Sequence, residues 1–167
     1  AFQIGLVENN NETARRELVP FFSRRIGLSS NGQPLPVSGG LRLTGRSGPH
    51  TVGVMTMRTE EFGERAADTF IAARVARELS STVSASAFYF GRESAGGDPF
   101  NRVFGSELRL RPRRTVEVEA FAMHSSAPGT AGGFAGRGSL RVDGTKHRMR
   151  LGYVHVDDAF RHDLGFV

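Results

Sequence analysis

The stretch "SELRLRPRRTVEVEAFAM", Ser106 to Met123, alternates charged and apolar side chains on both sides of a short break. Successive side chains of a β-strand point to opposite faces, so this alternation predicts two strands that are each buried on one side. Residues 112–114 interrupt the pattern and predict a short connection. Pairing Arg111 with Thr115 places the charged residues of both strands together. This charged face holds Glu107, Arg109, Glu117 and Glu119.

The same alternation extends through the rest of the chain from about Gly39 onward. The segments are GGLRLTGR, TVGVMTMR, DTFIAARVARE, TVSASAFYFG, NRVFGSELRL, TVEVEAFAMH, GFAGRGSLRV and HRMRLGYVHV. The window from Ala66 to Leu79 is the best candidate for a helix, but it also fits a period of two, so a strand is favoured. The sequence therefore predicts an all-β fold, an antiparallel up-and-down meander of about eight strands.

The connections between these segments alternate in length. Short ones fall at 47–50, 79–81, 112–114 and 144–145, and long ones fall at 60–67, 92–100 and 125–133. In a meander, alternate connections lie at opposite ends of the sheet, so one end is predicted to be trimmed and the other elaborated. That asymmetry is typical of outer-membrane barrels, which have short periplasmic turns and longer outer loops.

Two further hairpins give the same division into faces. The assumed pairs are Asp143 with Lys146 and Glu78 with Thr82, which set Arg141 opposite Arg148 and Arg74 opposite Ser86. The charged face of the last hairpin holds Arg137, Arg141, Arg148 and Arg150, and its apolar face holds Leu140, Val142, Met149 and Leu151. We therefore expect one sheet with a polar and an apolar side.

Such a sheet fits a soluble barrel with the apolar side inward, or a membrane barrel with the apolar side outward. The apolar side is rich in small residues, and charges on it, such as Arg77 and Arg102, fall at strand ends where a membrane interface tolerates them. Only one of the 22 basic residues is Lys, and the planar fork of Arg suits confined ion pairs. These observations favour a fragment of a transmembrane β-barrel.

Composition excludes several function classes. The chain has no Cys, so it forms no disulfide and no thiolate metal site. The net charge is +5, but the basic residues are scattered, which argues against nucleic acid as a partner. No GxSxG or HExxH motif is present, so we expect no cofactor and assign no catalytic residue. The group His155, Asp157, Asp158, His162 and Asp163 could ligate a metal, but a polar loop is favoured.

Residues 1–38 are predicted to form a lead-in segment, and residues 39–167 the strands. Within the lead-in, Phe21 and Phe22 run into Arg24 and Arg25. Because large rings avoid water, we expect Phe21 and Phe22 to wedge against the polar side of the sheet as a plug. Arg24 and Arg25 would then meet the glutamates Glu107, Glu117 and Glu119. Alternatively, Arg24, Arg25, Arg137, Arg141, Arg148 and Arg150 select an anionic or glycan solute.

The blocks "PFFSRRIG", "SGGLRLTGRSGPHTVGVMTMRT" and "FRHDLGFV" resemble the barrel part of the DUF5916 family of bacterial outer-membrane proteins. The resemblance implies an outer-membrane location, contact with outer-membrane lipid and a longer barrel, of which this chain would be a part. Family members carry a carbohydrate-binding module of family 9 type before the barrel. No reaction is assigned to the family, so the resemblance implies location and architecture.

The function expected from these features is solute passage or docking in the outer membrane, with carbohydrate or a small anionic solute as partner. An outer-membrane hydrolase with catalytic residues outside this chain is an alternative. A soluble β-barrel that binds an apolar ligand is a second one. If the chain is part of a longer barrel, its sheet does not close, and its first and last strands present unpaired edges.

Overall fold

A computed structural model describes residues 18, 20–21, 26–28, 34–61, 63, 66–96 and 100–165. These residues form one eight-stranded antiparallel sheet in the order β1 to β8, with no helix among them. The strands are β1 (Val37–Ser47), β2 (His50–Thr59), β3 (Asp68–Glu78), β4 (Val83–Ser94), β5 (Asn101–Arg113), β6 (Val116–Ser126), β7 (Gly133–Asp143) and β8 (Arg148–Val156). The predicted meander is confirmed. The window from Ala66 to Leu79, which was the best candidate for a helix, contains strand β3. In the part of the chain so described, no helix is long and apolar enough to cross a membrane.

The alternation of connection lengths is also confirmed. One end of the sheet, here called the short-turn end, carries the connections 48–49, 79–82, 114–115 and 144–147. The other, the long-linker end, carries 60–67, 95–100 and 127–132. Gly48 at the first turn has φ 54°, in the left-handed region that glycine adopts without a Cβ penalty.

The predicted registers of three hairpins are wrong by two residues. Glu78 pairs with Ser84 and not Thr82, Arg109 pairs with Glu119 and not Glu117, and Asp143 pairs with Arg148 and not Lys146. Arg74 consequently faces Phe88, and Arg141 faces Arg150. The connections at 79–82 and 144–147 are longer than assumed, and a bulge shifts the β5–β6 pairing between Leu110 and Arg113. An even error moves a residue along its own face, so the assignment of faces survives.

Neighbouring strands are staggered in one direction across the sheet. When directly opposed residues are followed from strand to strand, the Ser47–His50 pair at the tip of the first hairpin leads to the Gly138–Tyr153 pair. That second pair lies well inside the last hairpin. Stagger of this kind is required for a sheet to curl into a barrel. The sheet is nevertheless open, because β1 and β8 each pair with a single neighbour among the described strands. The prediction of two unpaired edges is confirmed.

The two faces of the sheet differ in how far other parts of the chain cover them. The inner face is defined here as the side that carries Phe90 and Glu107, and the outer face as the side that carries Leu43 and Leu108. The inner face is not polar throughout, contrary to the sequence prediction. Its long-linker half is a hydrophobic core of Phe70, Ala72, Phe88, Phe90, Val103, Phe121, Met123 and Ala135 with Leu18, Phe160 and Leu164.

Before β1, Leu18, Phe21 and Ile26 pack against this core, and after β8 Phe160 and Leu164 do so. The ring of Phe21 stacks on Phe90 with 5.2 Å between centroids, which places it against the inner face as expected for a wedge. Phe160 lies so close to Gly133 that a Cβ there would collide with its backbone. Asn101 accepts the N–H of Asp163 at 2.9 Å and donates to the carbonyl of Arg161 at 2.9 Å. The long-linker half of the inner face is therefore sealed.

Candidate functional site

The short-turn half of the inner face carries a network of carboxylates and guanidinium groups. Its first hub is Glu107 on β5, whose side chain is almost fully buried. The carboxylate accepts hydrogen bonds from Arg74 at 2.6 Å, Ser86 at 3.1 Å and Arg109 at 3.4 Å. Ser86 is the direct cross-strand neighbour of Glu107, so strand register alone places this contact.

The second part of the network lies on β6. Arg109 donates to Glu119, its direct partner across the β5–β6 pair, at 2.7 Å. Glu117 lies opposite Arg141, which donates to it at 2.7 Å. Arg111 also donates to Glu117 from Nε at 3.0 Å and Nη2 at 2.8 Å. The three glutamates, on β5 and β6, are thus bound by arginines on three strands, β3, β5 and β7.

Burial explains why the arginines are required. Glu107, Glu117 and Glu119 are only 5%, 6% and 4% exposed. An ionised carboxylate removed from water is costly unless it is paired and hydrogen-bonded. Each accepts at least one guanidinium hydrogen bond, and such charge-assisted bonds are about twice as strong as neutral ones. The network therefore gives each of the three buried carboxyl groups a guanidinium partner on a sheet face that is partly shielded from solvent.

The structure brings together five of the residues predicted for the site: Glu107, Arg109, Glu117, Glu119 and Arg141. Arg137 and Arg148 lie on the same face of β7 and β8 but form no ion pair among the described residues. Arg150 lies directly opposite Arg141, an arrangement of like charges. The predicted contacts of Arg24 and Arg25, and of Phe22, fall outside the described residues. The binding role of these residues stays a prediction.

Three network members were not assigned to the site from the sequence: Arg74, Arg111 and Asp143. Arg74 and Arg111 share the parity of the charged face, so the alternation pattern could have identified both. Asp143 is contacted by Nε of Arg141 at 3.2 Å. It lies two residues after Arg141 on β7 and therefore shares its face, so the same alternation could have identified it.

The outer face has the opposite character. Its large apolar side chains are exposed on strands from β1 to β8, with Leu41 71%, Phe104 59%, Phe134 60% and Tyr153 70% exposed. Between the strand ends, the described outer-face positions carry no Asp, Glu, Lys or Arg. Charged residues appear only at the ends, as with Arg102 and Glu93, which pair at 2.6 Å. The expected placement of Arg77 and Arg102 is confirmed.

Aromatic residues cross the outer face in one row near the long-linker end. Phe134, His124, Phe104 and Tyr89 are successive cross-strand neighbours on β7, β6, β5 and β4. The rings of Tyr89 and Phe104 are 4.7 Å apart, and those of His124 and Phe134 are 4.6 Å apart. Membrane barrels carry such girdles at the level of the lipid headgroups.

The height of the uncharged band can be estimated on β5. Arg102 and Arg113 stand at the two ends of its outer face, roughly 36 Å apart along the strand at about 3.3 Å per residue. A strand tilt of about 40° reduces this to roughly 28 Å along a barrel axis, close to the apolar band of about 25 Å in membrane barrels.

A cavity of about 310 Å³ opens beside the network at the short-turn end. Its polar lining comes from the β5–β6 turn and from β7, and consists of Arg111, Arg114, Thr115, Glu117, Arg141 and Asp143. The cavity is therefore lined by three guanidinium groups and two carboxylates. The other end of the inner face also holds buried charges, because Arg92 pairs with Asp163 at 2.9 Å and with Asp68 at 3.6 Å beside the hydrophobic core.

The loop after β8 forms separate contacts rather than one cluster. His155 Nε2 lies 2.8 Å from Asp157 Oδ1, whereas the buried His162 turns inward to the carbonyl oxygen of Pro20. The Phe134 N–H donates to Asp157 at 2.8 Å and, together with His155, lowers the pKa of this carboxyl. No group of three or more His, Asp or Glu suitable for a metal occurs in the ranges that the structure describes.

Comparisons with protein-family models, with curated proteins and with solved structures find no match for this chain. The resemblance to the DUF5916 family therefore stays a prediction.

Proposed function

We propose that this chain forms part of the wall of a bacterial outer-membrane β-barrel, and that its inner face docks a small polar solute. One observation carries the proposal: the outer face exposes large apolar side chains over a band without charge, while the inner face holds a paired network of buried glutamates and arginines. A soluble sheet places these two faces the other way round. Lipid would cover the outer face, as in known membrane barrels.

The two halves of the inner face support docking rather than free passage. The long-linker half is filled by aromatic side chains and by the segments around Phe21 and Phe160. The short-turn half is charged and carries the cavity beside Glu117. A solute would therefore reach the network from the short-turn end, which in outer-membrane barrels faces the periplasm.

Other expectations find less support in the described residues. A soluble barrel with an apolar ligand would enclose the apolar outer face, but the packed hydrophobic core lies on the opposite, inner face. A hydrolase gains no support from any described side-chain group. The DUF5916 resemblance supports the outer-membrane location, and its carbohydrate-binding module makes carbohydrate a second solute class besides small anions.

The test uses two adjacent residues on opposite faces of β1, Leu43 on the outer face and Thr44 on the inner face, both exposed. Because the chain has no Cys, L43C and T44C each carry a single fluorophore. We expect nitroxide lipids in reconstituted vesicles to quench the label at position 43 and a water-soluble quencher to reach the label at position 44. Equal quenching of both labels by the aqueous reagent would rule out a lipid-facing outer surface.

A further inference from the structure

The cavity at the short-turn end is built around an anion that belongs to the protein. The carboxylate of Glu117 receives two hydrogen bonds from Arg111 and one from Arg141. It is only 6% exposed. Nε and Nη2 of Arg111 both donate to Oε1 of Glu117, and Arg141 donates to Oε2, so guanidinium groups already hold a carboxylate at this place.

The charge around the cavity is not balanced. Three guanidinium groups line it, those of Arg111, Arg114 and Arg141, against the two carboxylates of Glu117 and Asp143. Arg114 lies in the β5–β6 turn and forms no ion pair among the described residues. The lining therefore carries one more positive than negative charge, and Arg114 is exposed, so a ligand can reach it.

The size of the cavity limits the ligand. A volume of about 310 Å³ lies at the lower end of the range of about 300–1,000 Å³ for small-molecule sites. A sugar chain of several units is too large for it. A small anion of the size of phosphate or citrate matches the volume, and its negative charge matches the positive surplus of the lining.

We infer that this cavity binds the oxyanion group, a phosphate or carboxylate, of a small solute. Arg114 is its main contact, and Arg111 contributes the N–H groups that Glu117 does not use. The inference deepens the proposed docking function and rests on it for the biological role of the site. The binding itself is a property of these side chains and can be measured separately.

The experiment measures binding of inorganic phosphate and of citrate to the full chain in uncharged detergent by isothermal titration calorimetry. Arg114→Gln is compared with Arg113→Gln, because Arg113 is the neighbouring arginine at the outer-face end of β5. We expect R114Q to bind about tenfold more weakly, the loss of one charge-assisted hydrogen bond, and R113Q to bind like the wild type. Both residues are exposed, and circular dichroism verifies that each variant keeps its β-sheet signal.

Equal weakening by both substitutions would overturn the inference, since it would show that anions respond only to net charge. Absence of measurable phosphate and citrate binding to the wild type would overturn it as well. Neither result affects the quenching pattern of L43C and T44C, which tests the membrane location. Conversely, binding that depends on Arg114 in a chain that does not enter vesicles would refute the proposed function alone.

Discussion

The two halves of the inner face are built from the same strands but are stabilised by different interactions. On β5, Val103 is completely buried in the core, and Glu107, four residues along the same face, is a hub of the ion network. The long-linker half excludes water and fixes the segments around Phe21 and Phe160. The short-turn half is stabilised by guanidinium–carboxylate pairs. The comparison indicates that one half supplies stability and the other supplies a place for ligand.

The largest effect is expected in the aromatic core. Phe90 is 1% exposed and contacts Phe21, Phe88 and His162. Phe90→Ala should lower the free energy of unfolding by about 3–5 kcal/mol, because it removes apolar burial and leaves a cavity. Urea unfolding in detergent micelles measures this change. Phe104→Ala on the outer face, where the ring is 59% exposed, is the control and should change stability far less.

A similar loss for both phenylalanines would contradict the assignment of faces. It would mean that the outer face is packed against protein as tightly as the inner one.

The ion network is expected to give the next largest effect. Arg74 and Glu107 pair at 2.6 Å with side chains only 14% and 4% exposed. Glu107→Gln should cost about 2–3 kcal/mol of unfolding free energy, because Arg74 loses its carboxylate while it stays shielded from water. Glu78→Gln is the matched control, since the Arg46–Glu78 pair is 63% and 60% exposed. Such surface pairs contribute less than about 1 kcal/mol.

Comparable losses from both substitutions would show that Glu107 is hydrated in solution. The short-turn half would then be an ordinary wet surface rather than a stabilised network.

The strands, their order and the two faces could be predicted from the sequence, because side-chain alternation and connection length are local properties. The exact residue pairs between neighbouring strands could not be predicted from the sequence. Whether Glu78 faces Thr82 or Ser84 depends on loop conformation and on bulges such as that between Leu110 and Arg113. These follow from hydrogen bonds that composition does not encode, such as Leu79 N–H to the Val83 carbonyl.

The apolar half of the inner face was also missed. In "SASAFYFG", alternation places Phe88 and Phe90 on the same face as Arg74. Because neighbouring strands carry many charged residues on that face, the sequence predicted it to be polar throughout. Recognising a core there required the segments that cover it, and those come from both ends of the chain. Contacts such as His162 with the Pro20 carbonyl join residues too far apart for a periodicity argument.

The segment after β8, which covers the core, is attached to the sheet through Asn101. Asn101 is 2% exposed and bonds to both the Arg161 carbonyl and the Asp163 N–H. Asn101→Ala leaves both backbone groups without this partner, which should cost about 1–3 kcal/mol. Because the cost falls on local opening of this segment, trypsin should cleave after Arg161 roughly tenfold faster or more. Ser38→Ala, which removes an exposed bond to the Arg58 carbonyl, should leave the cleavage rate unchanged. Unaltered cleavage in N101A would show that other contacts hold the segment.

The smallest effect is expected from pH at the β8 loop. The pKa of Asp157 is lowered first by the Phe134 N–H and then by His155. A carboxyl whose folded pKa is depressed stabilises the folded state above its unfolded pKa, and this stabilisation disappears as pH falls through the folded value. Protection of the Phe134 amide from hydrogen exchange should therefore exceed that of Asp157→Asn at pH 6. The difference should begin to shrink as pH falls below about 4, the ordinary pKa of an Asp, and should vanish only at still lower pH, below the lowered pKa of Asp157. Phe134 belongs to the outer aromatic row and Asp157 starts the segment that covers the core, so this contact connects the two faces. A difference between the two proteins that stays constant from pH 6 down to the lowest pH at which the sheet remains folded would show that the hydrogen bond, and not the charge, holds the loop.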